Sequence, residues 1–176
     1  GGVLGAVRRL TGRAALGGLG LIARVSPVPL ALLIRRLFAL DGGRKAAALL
    51  AVAPEGATVT RDVAYGTHSH EVLDLYRPAG AGDGPLPVVV WVHGGAFVGG
   101  AKEELEGFLR FVVEAGVVAV APRYALAPGS RYPTPVRQVL AAIGHVVAEA
   151  ARYGIDPTRI VVAGDHPDPI LQRTTY

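Results

Sequence analysis

Cysteine does not occur in these 176 residues, which excludes a disulfide framework, a thiolate zinc site and a cysteine nucleophile. Methionine is also missing, even at position 1, and the chain is therefore expected to be processed or to be a piece of something longer. Aromatic residues make up only 6% and charged residues 18%, against 51% hydrophobic. So apolar a chain is not disordered and buries its elements well. Its length suits one domain with a sizeable core. Where basic residues concentrate, aromatic readers are scarce: residues 1–50 hold eight Lys or Arg and one Asp, with Phe38 as their only aromatic. Nucleic-acid binding needs a basic face furnished with such readers, so no nucleic-acid partner is expected.

A long uninterrupted apolar run is lacking too. "AALGGLGLIARVSPVPLALLI", residues 14–34, approaches one, but Arg24, Pro27, Pro29 and several glycines interrupt it, and a membrane-spanning helix needs about 20 apolar residues. The expectation is two amphipathic helices split at "SPVP", with Ser26 capping the second and Pro27 in its first turn. An interfacial membrane helix and a signal or spanning segment stay open as alternatives. The expected location is cytoplasmic, with membrane association through this segment as the alternative. Helical spacing continues through "PLALLIRRLFAL", is expected to break at "DGG" (Asp41 to Gly43), and resumes as a short helix in "RKAAALLAVA".

After Pro54 the period changes to two. "ATVTRDVAYG" and "HEVLDLYRP" alternate apolar with polar residues around "THS", the pattern of a hairpin. "LPVVVWVHGG" is an apolar run suited to a strand buried on both faces. An amphipathic helix over 102–115, a strand in "GVVAVAPRY", a long helix over about 136–153 and a final strand in "IVVAGD" follow. Strands alternating with helices indicate a mostly parallel sheet with helices on both faces, and the two alternating strands in front make an antiparallel edge. The expected organisation is a basic helical segment over 1–54, an α/β unit over 55–165 and a separate tail over 166–176.

The strongest local signal is "HGGAF", His93 to Phe97, directly after the buried strand. Consecutive glycines let backbone N–H groups point into one space, where they can hold a developing oxyanion. "PRYALAP" follows the next strand, "YPTP" opens the next helix, "GIDPTRI" ends it and "VVAGD" closes the last strand. Together these resemble the N-terminal portion of the α/β-hydrolase esterases and lipases of the hormone-sensitive-lipase-like branch, whose oxyanion motif reads HGGG. In that family "YRLAPE" and "GDSAG" stand where this chain has "YALAP" and "GDHPD". The resemblance implies a partial α/β-hydrolase fold, hydrolysis of a small-molecule ester by a serine nucleophile, and no cofactor or metal. It places half of the oxyanion hole on the amides of Gly94, Gly95 and Ala96. His93, Tyr124 and Asp165 become residues that brace the surrounding loops.

The same resemblance finds the nucleophile missing. His166 occupies the serine position, and Pro167 has no N–H where the family's second oxyanion donor is expected. The triad acid and histidine lie downstream in the family, in the order Ser, Asp or Glu, His, so no catalytic residue is assigned. The expected chain is cut off at the nucleophile elbow and inactive, with a frameshift as a candidate origin of its tail. The alternative is a non-catalytic α/β-hydrolase-like protein that binds a ligand or partner. Outside these motifs, "HSH" at 68–70 invites a zinc reading, but it lacks a third ligand and is expected to be a solvated hairpin turn.

Overall fold

The computed structural model describes residues 28–165 except Asp83, and Phe38 without its side chain. The expected cap at Ser26, the proline turn at Pro27 and the altered elbow from His166 onward lie outside the described residues. Helix α1 spans Val28–Leu50. The strands are β1 (Ala57–Ala64), β2 (Val72–Pro78), β3 (Leu86–Val92), β4 (Val118–Pro122) and β5 (Ile155–Gly164). A 3-10 turn, Lys102–Leu105, leads into α2 (Glu106–Val113); α3 (Thr134–Ala148) and α4 (Ala150–Tyr153) precede β5.

The five strands form one sheet in the order β1-β2-β4-β3-β5. β1 pairs antiparallel with β2 and β2 antiparallel with β4, while β3 runs parallel to both β4 and β5. The antiparallel edge and the parallel centre therefore match the patterning of the sequence. Period two sorts the side chains. Leu73, Leu75, Val88, Val90, Val118 and Val120 pack with Ala142 and Val146 of α3, and Tyr76, Ala119 and Ala121 pack with Leu109 and Val113 of α2.

The expected break at Asp41–Gly43 is absent: α1 runs through it without interruption. Glycine in a helix interior costs about 1 kcal/mol relative to alanine and does not by itself end a helix. Docking decides instead. The backbone of Leu49 and Leu50 comes so close to Gly107 that a Cβ there would lie 2.7 Å from the Leu50 nitrogen, so only glycine on α2 permits the crossing. The helix expected over 102–115 is a 3-10 turn followed by α2, and the helix expected over 136–153 is interrupted at Glu149, which separates α3 from α4. No helix among the described residues is long and apolar enough to cross a membrane.

Candidate active site

Ligands of open α/β sheets bind outside the carboxyl ends of the parallel strands. There the segments after β3, β4 and β5 converge. Gly95 has φ +121°, and a Cβ on it would stand 2.3 Å from the Gly99 carbonyl oxygen. Ala96 and Phe97 follow at φ +52° and +58°, a left-handed conformation that costs a non-glycine residue about 1–2 kcal/mol. The loop is closed by the Gly95 carbonyl, which accepts from the amides of Val98 (3.0 Å) and Gly99 (2.9 Å), and by the Ala127 amide, which donates to the Phe97 carbonyl at 2.8 Å.

Tyr124, just past β4, donates its hydroxyl to the His93 carbonyl at 2.6 Å and stacks its ring on the imidazole, with centroids 4.3 Å apart. Burial, with a smaller contribution from the charge of Asp165, holds its phenol above the ordinary range, so Tyr124 remains a neutral donor. His93 Nδ1 lies 3.0 Å from the Gly94 carbonyl, a contact that requires the proton on Nδ1. Asp165, at the end of β5, accepts the Gly94 N–H at 2.5 Å. Of the three amides named from the sequence, Gly94 is thus engaged by a carboxylate. Gly95 and Ala96 have no acceptor for their N–H groups among the described residues.

Two clefts flank this loop. The larger, about 620 Å³, is lined by His93 and Gly100 on the loop side and by Arg35, Arg123, His68 and Leu126 among others. The smaller, about 190 Å³, separates α1 from Gly94 and Asp165 and includes Glu104. Burial, then the charges of Glu103 and Asp165, push the Glu104 carboxyl above its usual range. The two imidazoles of "HSH" stack at 5.5 Å, and no group of three or more metal-ligating side chains occurs among the described residues.

Three groups that shape the site escaped sequence reasoning. Lys102, immediately past the loop, is buried, with Nζ 2.7 Å from Asp74 Oδ1, 3.0 Å from Asp62 and 3.2 Å from Glu103. Asp74 also accepts the Asp62 amide at 2.9 Å, which the bulge in β1 removes from the ladder. The signal lay in "VLDLY", an acid on the face shared with Val72 and Tyr76. Gln138 of α3 is the second: its Oε1 accepts the Ala125 amide at 2.8 Å, so its Nε2 faces His70 (2.8 Å) and Glu71 (3.1 Å). The third is Arg123, whose carbonyl accepts from Tyr65 at 2.5 Å and whose guanidinium pairs with Glu103.

Comparison with known proteins gives the family and the fold. The BD-FAE family model matches residues 73–166. The chain is 34% identical over 108 residues to human arylacetamide deacetylase-like 3, covering 61% of this chain and 26% of that protein. It is 36% identical over 113 residues to carboxylesterase NlhH of Mycobacterium tuberculosis, covering 64% and 35%. Among solved structures, the thermophilic carboxylesterase EstE1 from a metagenomic library superposes with a TM-score of 0.63 at 30% identity over 77% of this chain and 45% of that one. A bacterial heroin esterase gives 0.64 at 32% identity over 72% and 40%. The chain therefore spans less than half the length of each of these relatives.

Proposed function

This chain belongs to the BD-FAE family, and with it to the α/β-hydrolase esterases, and from that premise we propose that it carries the oxyanion-binding half of a carboxylic-ester hydrolase. The observation that carries this reading is the "HGGAF" loop, held in a left-handed turn with the Gly95 and Ala96 amides uncommitted among the described residues. In such a site a serine attacks the ester carbonyl, the amides receive the charge that develops on its oxygen, and water releases the acyl group. One such donor is worth about 10²–10³ in kcat. His93, Tyr124 and Asp165 act here as braces: each holds the loop through the backbone of His93 or Gly94 and none attacks the substrate. We read residues 1–54 as a basic helical segment, 55–165 as the N-terminal part of the hydrolase unit and 166–176 as a tail apart from it.

The 176-residue chain itself is expected to be inactive, because His166 stands at the serine position and Pro167 offers no N–H. With p-nitrophenyl butyrate it should give no turnover above a heat-treated control. Turnover abolished by a serine-reactive phosphonate overturns this expectation. Translation of the coding DNA in all three frames from codon 159 complements the assay: a frame that reads Ser-Ala-Gly after "GD" assigns the hydrolysis to that longer product. The Gly94 amide, already capped by Asp165, favours a second reading in which the fold binds a ligand without turning it over. That reading requires a soluble chain with a cooperative melt.

A further inference from the structure

From the larger cleft we infer a second function for this chain: a binding site for a small organic carboxylate, separate from the Gly95 and Ala96 amides. Neither of those residues lines the cleft, whereas two arginines, Arg35 and Arg123, do, against one carboxylate, Glu103. The volume of about 620 Å³ suits a small molecule. Its walls supply an apolar contact at Leu126 and hydroxyls at Ser130 and Thr134.

Among the side chains that line the cleft, two arginines face the space against one carboxylate. Glu103 pairs with Arg123, and the Lys102 ammonium 3.2 Å away is shared with Asp74 and Asp62, so among the described residues Arg35 is the lining charge with no ion pair. Arg123 engages Glu103 through Nη2 alone, and a guanidinium carries five N–H donors in a planar fork matched to a carboxylate. Its backbone is fixed: the Arg123 amide donates to Val72 at 2.8 Å and its carbonyl accepts from Tyr65. Arg35 comes from α1 and has no ion pair or hydrogen bond among the described residues. Arg35 is exposed and lines the same cleft as Arg123, and a guanidinium there is free to turn its donors to a ligand.

Two positions that carry charge in the family motif are small here. Where the family motif "YRLAPE" carries an arginine and a glutamate, this chain has Ala125 and Gly129, and both positions line the cleft. The cations that remain come from elsewhere in the chain, Arg35 from the helical segment and Arg123 from the end of β4.

Isothermal titration of the full chain with sodium phenylacetate, phenylacetamide and inorganic phosphate tests the site. Phenylacetate should bind, and its neutral isostere should bind about tenfold more weakly or worse, the size expected for losing one charge-assisted hydrogen bond. Arg35→Gln should weaken phenylacetate by a similar factor without lowering the melting temperature, because Arg35 is exposed and has no hydrogen bond or ion pair among the described residues. Ala125→Arg should fill the space and abolish binding; a variant that melts as the parent does but still binds argues against the site. Equal binding of acid and amide, an unchanged affinity in Arg35→Gln, or phosphate binding as tightly as phenylacetate overturns the proposal. None of these readouts depends on ester hydrolysis, so the assay with p-nitrophenyl butyrate can fail or succeed independently.

Discussion

One face of the sheet is held together by hydrocarbon with neutral hydrogen bonds from Tyr65 and Gln138 at its margin, and the other by hydrocarbon around a buried ion pair. Against α3, the strands set Leu73, Leu75, Val88, Val90, Val118 and Val120, all fully or nearly buried. Towards α2, the same β2 turns Asp74 and Tyr76, and Asp74 meets Lys102 with both side chains almost wholly out of water. The first arrangement supplies stability in proportion to area and specifies little about the loops. The second gains little net energy but admits only one geometry, since desolvating two charges offsets most of their attraction. Lys102 opens the 3-10 turn that follows the oxyanion loop, so the polar face is the one that fixes the loop's far end against β2.

The strongest way to break this comparison is to remove one charge. Lys102→Met leaves the Asp74 carboxylate buried, with Oδ2 already lacking a partner, and should cost about 3–5 kcal/mol in urea unfolding. Adding Asp74→Leu should restore most of that loss, because the pair as a whole contributes little. A single variant that costs under about 1 kcal/mol, or a double variant no better than the single, would show that the two faces do not differ in kind. On the apolar face no such rescue exists. Leu73→Ala, at a fully buried position, should cost about 3 kcal/mol through lost transfer energy and the cavity left behind. Pairing it with a second truncation at Val146 should deepen the loss rather than relieve it, and recovery in that double variant would count against a face held by area rather than by charge.

These two faces were not equally legible in the sequence. Alternation in "ATVTRDVAYG" and "HEVLDLYRP" and the continuous run "LPVVVWV" gave the strands, their antiparallel edge and their parallel centre, because period two reports burial directly. The "HGGAF" turn was legible because few residues tolerate its backbone. What escaped depends on residues far apart in the chain. Lys102 and Asp74 are separated by 28 positions and nothing local pairs them. The passage of α1 through Asp41–Gly43 escaped for the same reason: local propensity argues for a break, and the docking of Leu49 and Leu50 on Gly107 overrides it. Arg35 and Arg123 share a cleft only once α1 is laid across the sheet end.

The smallest expected effect asks whether burial, rather than charge, separates the faces. Asp156 at the start of β5 accepts from the Thr158 hydroxyl (2.6 Å), the Thr158 amide (2.9 Å) and Arg159 Nε (2.6 Å). These bonds, led by the Thr158 hydroxyl, pull its carboxyl down to about 2. A carboxyl depressed in the folded state relative to the unfolded chain stabilises the fold above the unfolded value, near 3.8, and loses that contribution as pH falls towards 2. Asp156→Asn should therefore be less stable than the parent at pH 6, and the difference should shrink between pH 4 and pH 2, as read from urea melts at each pH. A difference that stays constant over that range removes the carboxylate from the account. Because this network is solvated, its loss at pH 6 should fall well below that of Lys102→Met. Should the two match, the cost at Lys102 reflects the number of hydrogen bonds broken, and desolvation is not what distinguishes the polar face from the apolar one.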